Sequence, residues 1–127
     1  MLKSDLNLTD FMIKGKVSKD EAVRSLRVLP AEKAFYFYRG IGQPLGVVSS
    51  SLSDFAEALK KVEPESVRFH LERGDFQNWL KMLGEDPLCD KLKSLRGREL
   101  PAEELRSRVS ALVSSRVNQL RRAAGNL

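Results

Sequence analysis

The chain has one cysteine (Cys89), one histidine (His70) and one tryptophan (Trp79) in 127 residues. A lone cysteine excludes an intramolecular disulfide and a thiolate cluster for a metal. A lone histidine leaves any nucleophile a single imidazole base, paired with Cys89 or a serine, and no spacing in the chain fixes such a pair. His70 with Glu72 and Asp75 makes a weak ligand set, because one imidazole with scattered carboxylates lacks a geometry that selects a metal. No apolar run is long enough to span a membrane. The first stretch, "MLKSDLNLTDFMIKG", carries two acids and no continuous apolar segment, unlike a secretory signal. These absences together point to a cytoplasmic protein with no metal and no cofactor. They leave enzymes the weakest functional class.

What is present is charge, unevenly placed. The formal net charge is +5. Residues 1–90 hold 13 Lys and Arg against 14 Asp and Glu, and residues 91–127 hold 9 against 3. The whole positive excess therefore lies in the C-terminal quarter. Such asymmetry marks attraction to nucleic acid or another anionic surface, or else an ordinary solvated helix face.

Residues 1–17 lack clear periodicity, with Phe11 and Ile13 expected on the core. "SKDEAVRSLRVL" opens on a capping box, Ser18 with Glu21. Ala22, Val23, Leu26 and Leu29 follow at helical spacing, and Pro30 is expected to end that helix. "KAFYFYRG" and "VVSSS", around the turn residues of "IGQPLG", predict a β-hairpin over roughly 33–40 and 45–50. Gly40, Gly42 and Gly46 only partly match a nucleotide fingerprint, since a strand rather than a helix follows them. "SLSDFAEALKKV" predicts a helix capped by Ser51 or Ser53, with Leu52, Phe55, Ala56 and Leu59 inward.

Residues 64–72 are ambiguous. Val67, Phe69 and Leu71 alternate as in a strand, whereas Pro64 and the closing glycine suit a helix. "DFQNWLKML" and "EDPLCDKLKSL" predict short helices capped by Asp75 and Asp86, with Gly97 beyond the second. Cys89 adjoins the stripe of Leu88, Leu92 and Leu95 and reads as a small buried hydrophobe. The longest helix starts at Pro101 and stops at Gly125. Its stripe is Leu105, Val109, Leu112, Val113, Val117 and Leu120, too short for a confident coiled coil. These elements define an α+β fold: a small β-hairpin packed against several short helices, with a long C-terminal helix. The expected division is a compact unit over 1–97 and a basic helical extension over 98–127.

The run from "AFYFYRG" through "SLSDFAEAL" to "HLERGDFQNW" resembles a domain of unknown function found in archaea and bacteria. The shared core is His-x-x-Arg-x-Asp-Phe-x-x-Trp, here His70, Arg73, Asp75, Phe76 and Trp79. The resemblance spans roughly residues 33–96. It implies a helix over 64–72 and supplies no activity, so no catalytic residue is carried over.

Two groups of residues are candidates for function. The first is the corner His70, Arg73, Asp75 and Trp79. Its embedded Arg-Gly-Asp is better explained by a helix stop at Gly74 and a cap at Asp75 than by adhesion. A lone histidine among aromatic residues is expected to be a hydrogen-bonded structural group, with a ligand-facing role as the alternative. The second group is basic: Lys91, Lys93, Arg96, Arg98, Arg108, Arg116, Arg121 and Arg122. At about 100° per residue, the arginines of the last helix form no single stripe. Arg108 and Arg122 flank one side of its apolar face, Arg106 and Arg121 the other, and Arg116 falls within it. Such a layout suits phosphate contacts more than groove readout, and "DKLKSLRGR" is the tighter patch. Tyr36, Phe37 or Tyr38 would stack on bases if exposed. The expected function is a non-catalytic cytoplasmic binding module for RNA or a ribonucleoprotein. The alternative is a protein–protein adaptor or homodimer using the last helix, where Arg116 would meet an acidic partner.

Overall fold

A computed structural model describes residues 16–125. The expected places of Phe11 and Ile13 lie outside the described residues. The elements run α1 (Lys19–Ser25), a 3-10 turn (Ala31–Lys33), β1 (Phe35–Gly40), β2 (Gln43–Ser49), α2 (Leu52–Leu59), α3 (Pro64–Arg73), α4 (Asp75–Leu83), α5 (Asp86–Lys93) and α6 (Ala102–Ala124). The fold is α+β, with one antiparallel hairpin among the described residues.

The capping box forms as expected: the Glu21 N–H donates to Ser18 Oγ, and the Ser18 N–H donates to Glu21 Oε1, both at 3.0 Å. The helix stops before Pro30, however. The Arg27 guanidinium takes the Arg24 carbonyl at 2.6 Å, and the Leu29 N–H turns away to the Ser50 carbonyl at 2.7 Å. The chain is thereby drawn onto the end of β2. Leu29 is buried, while Val23 and Val28 face solvent.

β1 alternates, sending Phe35 and Phe37 inward and Tyr36 outward. β2 begins earlier than the turn residues suggested. Only Ile41 and Gly42 make the turn, so Gln43 already pairs with Gly40. Gly42 adopts φ +70°, a conformation that costs glycine least, and it closes the chain in this short space. The register slips between Tyr36–Val48 and Tyr38–Pro44. That irregularity absorbs Gly46, also at positive φ.

Residues 64–73 are helical. Pro64 occupies the first turn, and Gly74 at φ +83° ends the helix with its N–H directed at the His70 and Leu71 carbonyls. The strand-like alternation of Val67, Phe69 and Leu71 reflects a helix with two covered sides. Val67 and Leu71 enter the core, while Phe69 is half-buried. Neither Asp75 nor Asp86 is the expected N-cap. Each lies one residue inside its helix, and neither helix has a side-chain cap.

Phe35 sits at the middle of the core, with ring centroids 4.8 Å from Phe37, 5.4 Å from Phe55, 5.2 Å from Phe76 and 5.7 Å from Trp79. Residues 98–125 of the segment set apart in the sequence as an extension add to this same core. The whole stripe of α6 is buried in one cluster with α1–α5 and the hairpin. Each such side chain contributes about 1.5–3 kcal/mol over an exposed one, against about 0–1 kcal/mol for a surface ion pair. Apolar burial, more than its surface ion pairs, holds α6 in place.

Candidate functional site

The four corner residues come together. Gly74 reverses the chain between α3 and α4, so the Asp75 carboxylate reaches back to His70, with Oδ2 2.8 Å from Nδ1. The other ring nitrogen, Nε2, accepts the Tyr38 backbone N–H at 2.8 Å. An N–H aimed at Nε2 requires that nitrogen to be bare, so the proton sits on Nδ1 and is donated to Asp75. Burial is the main cause holding the His70 pKa below its ordinary value. Asp75 opposes that shift and the Arg73 charge adds to it. His70 is thus a neutral bridge from the hairpin to the α3–α4 corner. With both nitrogens engaged, it offers no base to a substrate. Cys89 is free and buried. No group of three His, Cys, Asp or Glu among the described residues is placed to hold a metal.

The outer side of this corner is an open groove of about 580 Å³ between β1 and the α3–α4 turn. Its walls include Tyr36, Phe69, Arg73, Asn78, Trp79 and Met82. Tyr36 is 45% exposed, and its hydroxyl donates to the Ala31 carbonyl at 2.8 Å, which fixes the ring. The Arg73 guanidinium carbon lies 4.8 Å over the Phe69 ring, and its Nε is 3.3 Å from Asp75 Oδ2. The Trp79 indole N–H donates to the Lys33 carbonyl at 2.9 Å. Of the three aromatic residues considered for stacking, Tyr36 is outward and Tyr38 half-buried. Phe37 is withdrawn from any ligand, because the inward phase of β1 places it in the core.

The basic residues separate into two kinds. Arg116 is 6% exposed, and its fork engages Glu85 through Nε–Oε1 at 2.7 Å and Nη2–Oε2 at 3.1 Å. Glu85 is 1% exposed and also accepts the Ser25 hydroxyl at 2.8 Å. The acidic partner of Arg116 therefore lies within the chain, and Arg116 is removed from the surface set. Arg108 pairs with Glu104, and Arg106 pairs with Glu103 while capping the Leu59 and Lys60 carbonyls. Arg121 donates to Ser53 Oγ, and Arg122 is exposed near the helix end. The apolar stripe of α6 is buried in the chain's own core.

The junction between α5 and α6 is different. Lys93, Arg96 and Arg98 are exposed and make no ion pair among the described residues, while Lys91 is half-buried. The junction is tied to α3. Glu72 Oε2 accepts the Gly97 N–H at 3.0 Å, and Arg68 donates to the Leu100 carbonyl at 2.6 Å. Arg68, Glu72, Arg98 and Glu99 line a shallow recess there. One helix thus borders both features, the recess through Arg68 and Glu72 and the groove through Phe69 and Arg73.

The Glu85 partnership was hidden in the sequence. An arginine inside an apolar stripe signals that some acid must share its core, but 31 residues separate the two.

The fold and the groove define a small α+β protein with an aromatic-walled cleft closed at its base by a fixed histidine. The chain belongs to a family of unknown function, DUF5752, whose model matches residues 11–114. The match takes in α1, the hairpin, the corner and the first half of α6, more than the segment 33–96 that carries the resemblance. No curated protein and no solved structure matches the chain.

Proposed function

We propose that the protein is a non-catalytic cytoplasmic binding module for RNA or a ribonucleoprotein, and that the α5–α6 junction is its electrostatic contact. One observation carries this reading: Lys93, Arg96 and Arg98 are exposed, without carboxylate partners among the described residues, on a segment fixed to α3. Elsewhere in the basic quarter, Arg106, Arg108 and Arg116 are neutralised by acids of the chain. The Glu72 carboxylate beside the junction is occupied by the Gly97 N–H. Phosphate oxygens are the natural counter-charges for a cluster of this kind, and such contacts are sequence-independent and salt-sensitive.

Electrophoretic shift with single-stranded RNA and with DNA at two salt concentrations tests the proposal. Three phosphate contacts on a single strand predict about a twentyfold loss of affinity between about 50 and 200 mM salt. Absence of any shift at the lower concentration defeats it.

A further inference from the structure

The geometry points to the groove between β1 and the α3–α4 corner as a receptacle for one unpaired nucleobase of a single-stranded RNA, with Arg73 facing the phosphate of that one nucleotide. This rests on the RNA reading above and adds to it a second, base-contacting element on the other side of the same helix.

Three features fit a flat, polar-edged ring. Tyr36 presents an exposed ring whose hydroxyl is already anchored to Ala31, so little motion has to be frozen on stacking. The Arg73 guanidinium over Phe69 forms a second planar platform. Unpaired bases stack on aromatic rings and on guanidinium planes alike. Asn78 is exposed on the groove wall, and its side-chain amide makes no hydrogen bond among the described residues. It offers a donor and an acceptor to a base edge. Arg73 engages Asp75 through Nε, so the rest of its fork can meet a phosphate. A volume near 580 Å³ lies within the range of small-ligand sites.

An extended peptide suits this groove less well. Adding a strand to β1 would require free backbone groups along its edge. At Tyr38 the N–H is given to His70 and the carbonyl accepts the Ser66 hydroxyl at 2.7 Å. α3 therefore occupies the edge that a peptide would need.

Trp79 is the only tryptophan of the chain and it lines the groove, so its emission reports on the groove and not on the junction. Full-length protein is titrated at low salt with a labelled, unstructured oligoribonucleotide and with an abasic strand of equal length. RNA anisotropy and Trp79 emission are read together, and thermal melts check each variant. The expected result is binding with a change in Trp79 emission, and about tenfold weaker binding of the abasic strand. A similar loss is expected for Tyr36→Ala and for Arg73→Ala, while Tyr36→Phe, which keeps the ring, binds nearly as the parent does. Binding that leaves Trp79 emission unchanged and is indifferent to Tyr36→Ala overturns the groove assignment and leaves the junction reading standing. No binding of RNA at low salt overturns both.

Discussion

The last helix and the junction that precedes it share the basic quarter of the chain, yet they use their cations in opposite ways. In α6 three of the five arginines, Arg106, Arg108 and Arg116, are matched by acids of the chain. Arg116 is sealed against Glu85 and Ser25, and Arg106 and Arg108 are matched by acids one turn away. In the junction, Lys93, Arg96 and Arg98 face water and make no ion pair among the described residues. A count of charges treats the two alike. What decides whether a cation is available to a partner is which carboxylates the fold brings to it.

This contrast makes graded predictions. Arg116→Ala should cost about 3–5 kcal/mol in denaturant unfolding, because it leaves Glu85 buried without a counter-charge. Replacing both partners by apolar residues, Glu85→Leu with Arg116→Met, should recover most of that loss. A single variant with unchanged stability would place Arg116 with the surface cations and erase the distinction.

The polar centre at His70 should give the next largest effect. His70→Ala removes the acceptor of the part-buried Tyr38 N–H, at about 2 kcal/mol. Because the folded pKa is lowered, the unfolded chain binds the proton more readily. The His70 contribution is therefore complete above the unfolded value of about 6.5 and is lost as pH falls from there through the folded value. Denaturant titrations across this window should show the parent losing stability on acidification. The loss should be smaller in His70→Ala, and equal slopes would contradict a lowered His70 pKa in the folded chain. The smallest change is expected from Arg108→Ala, whose half-exposed pair with Glu104 should shift stability by less than about 1 kcal/mol.

Much of the fold was legible because its signals are local. Ser18 and Glu21, the stripe of α2, the stop at Gly74 and the end at Gly125 each follow from residues within one or two turns. The corner His70, Arg73, Asp75 and Trp79 was legible as a group for the same reason. The roles inside it were less so. Asp75 reads as a helix cap, but after the reversal at Gly74 its carboxylate meets His70 instead of backbone. The partners that fix His70 from the hairpin side and Arg116 from the start of α5 lie 32 and 31 residues away. No periodicity encodes such distances, because they arise only when separate helices pack. The groove was invisible for the same reason, since its two walls come from β1 and the α3–α4 corner.

The most direct test of the central claim compares RNA affinity across salt for the parent, for Lys93→Ala/Arg96→Ala/Arg98→Ala and for Arg108→Ala, with thermal melts alongside. The junction variant should melt like the parent, bind more weakly and show a log–log salt slope shallower by about 2, while Arg108→Ala keeps the parent slope. An unchanged slope in the junction variant, or an equal loss in Arg108→Ala, would contradict the assignment of the α5–α6 junction as the RNA contact.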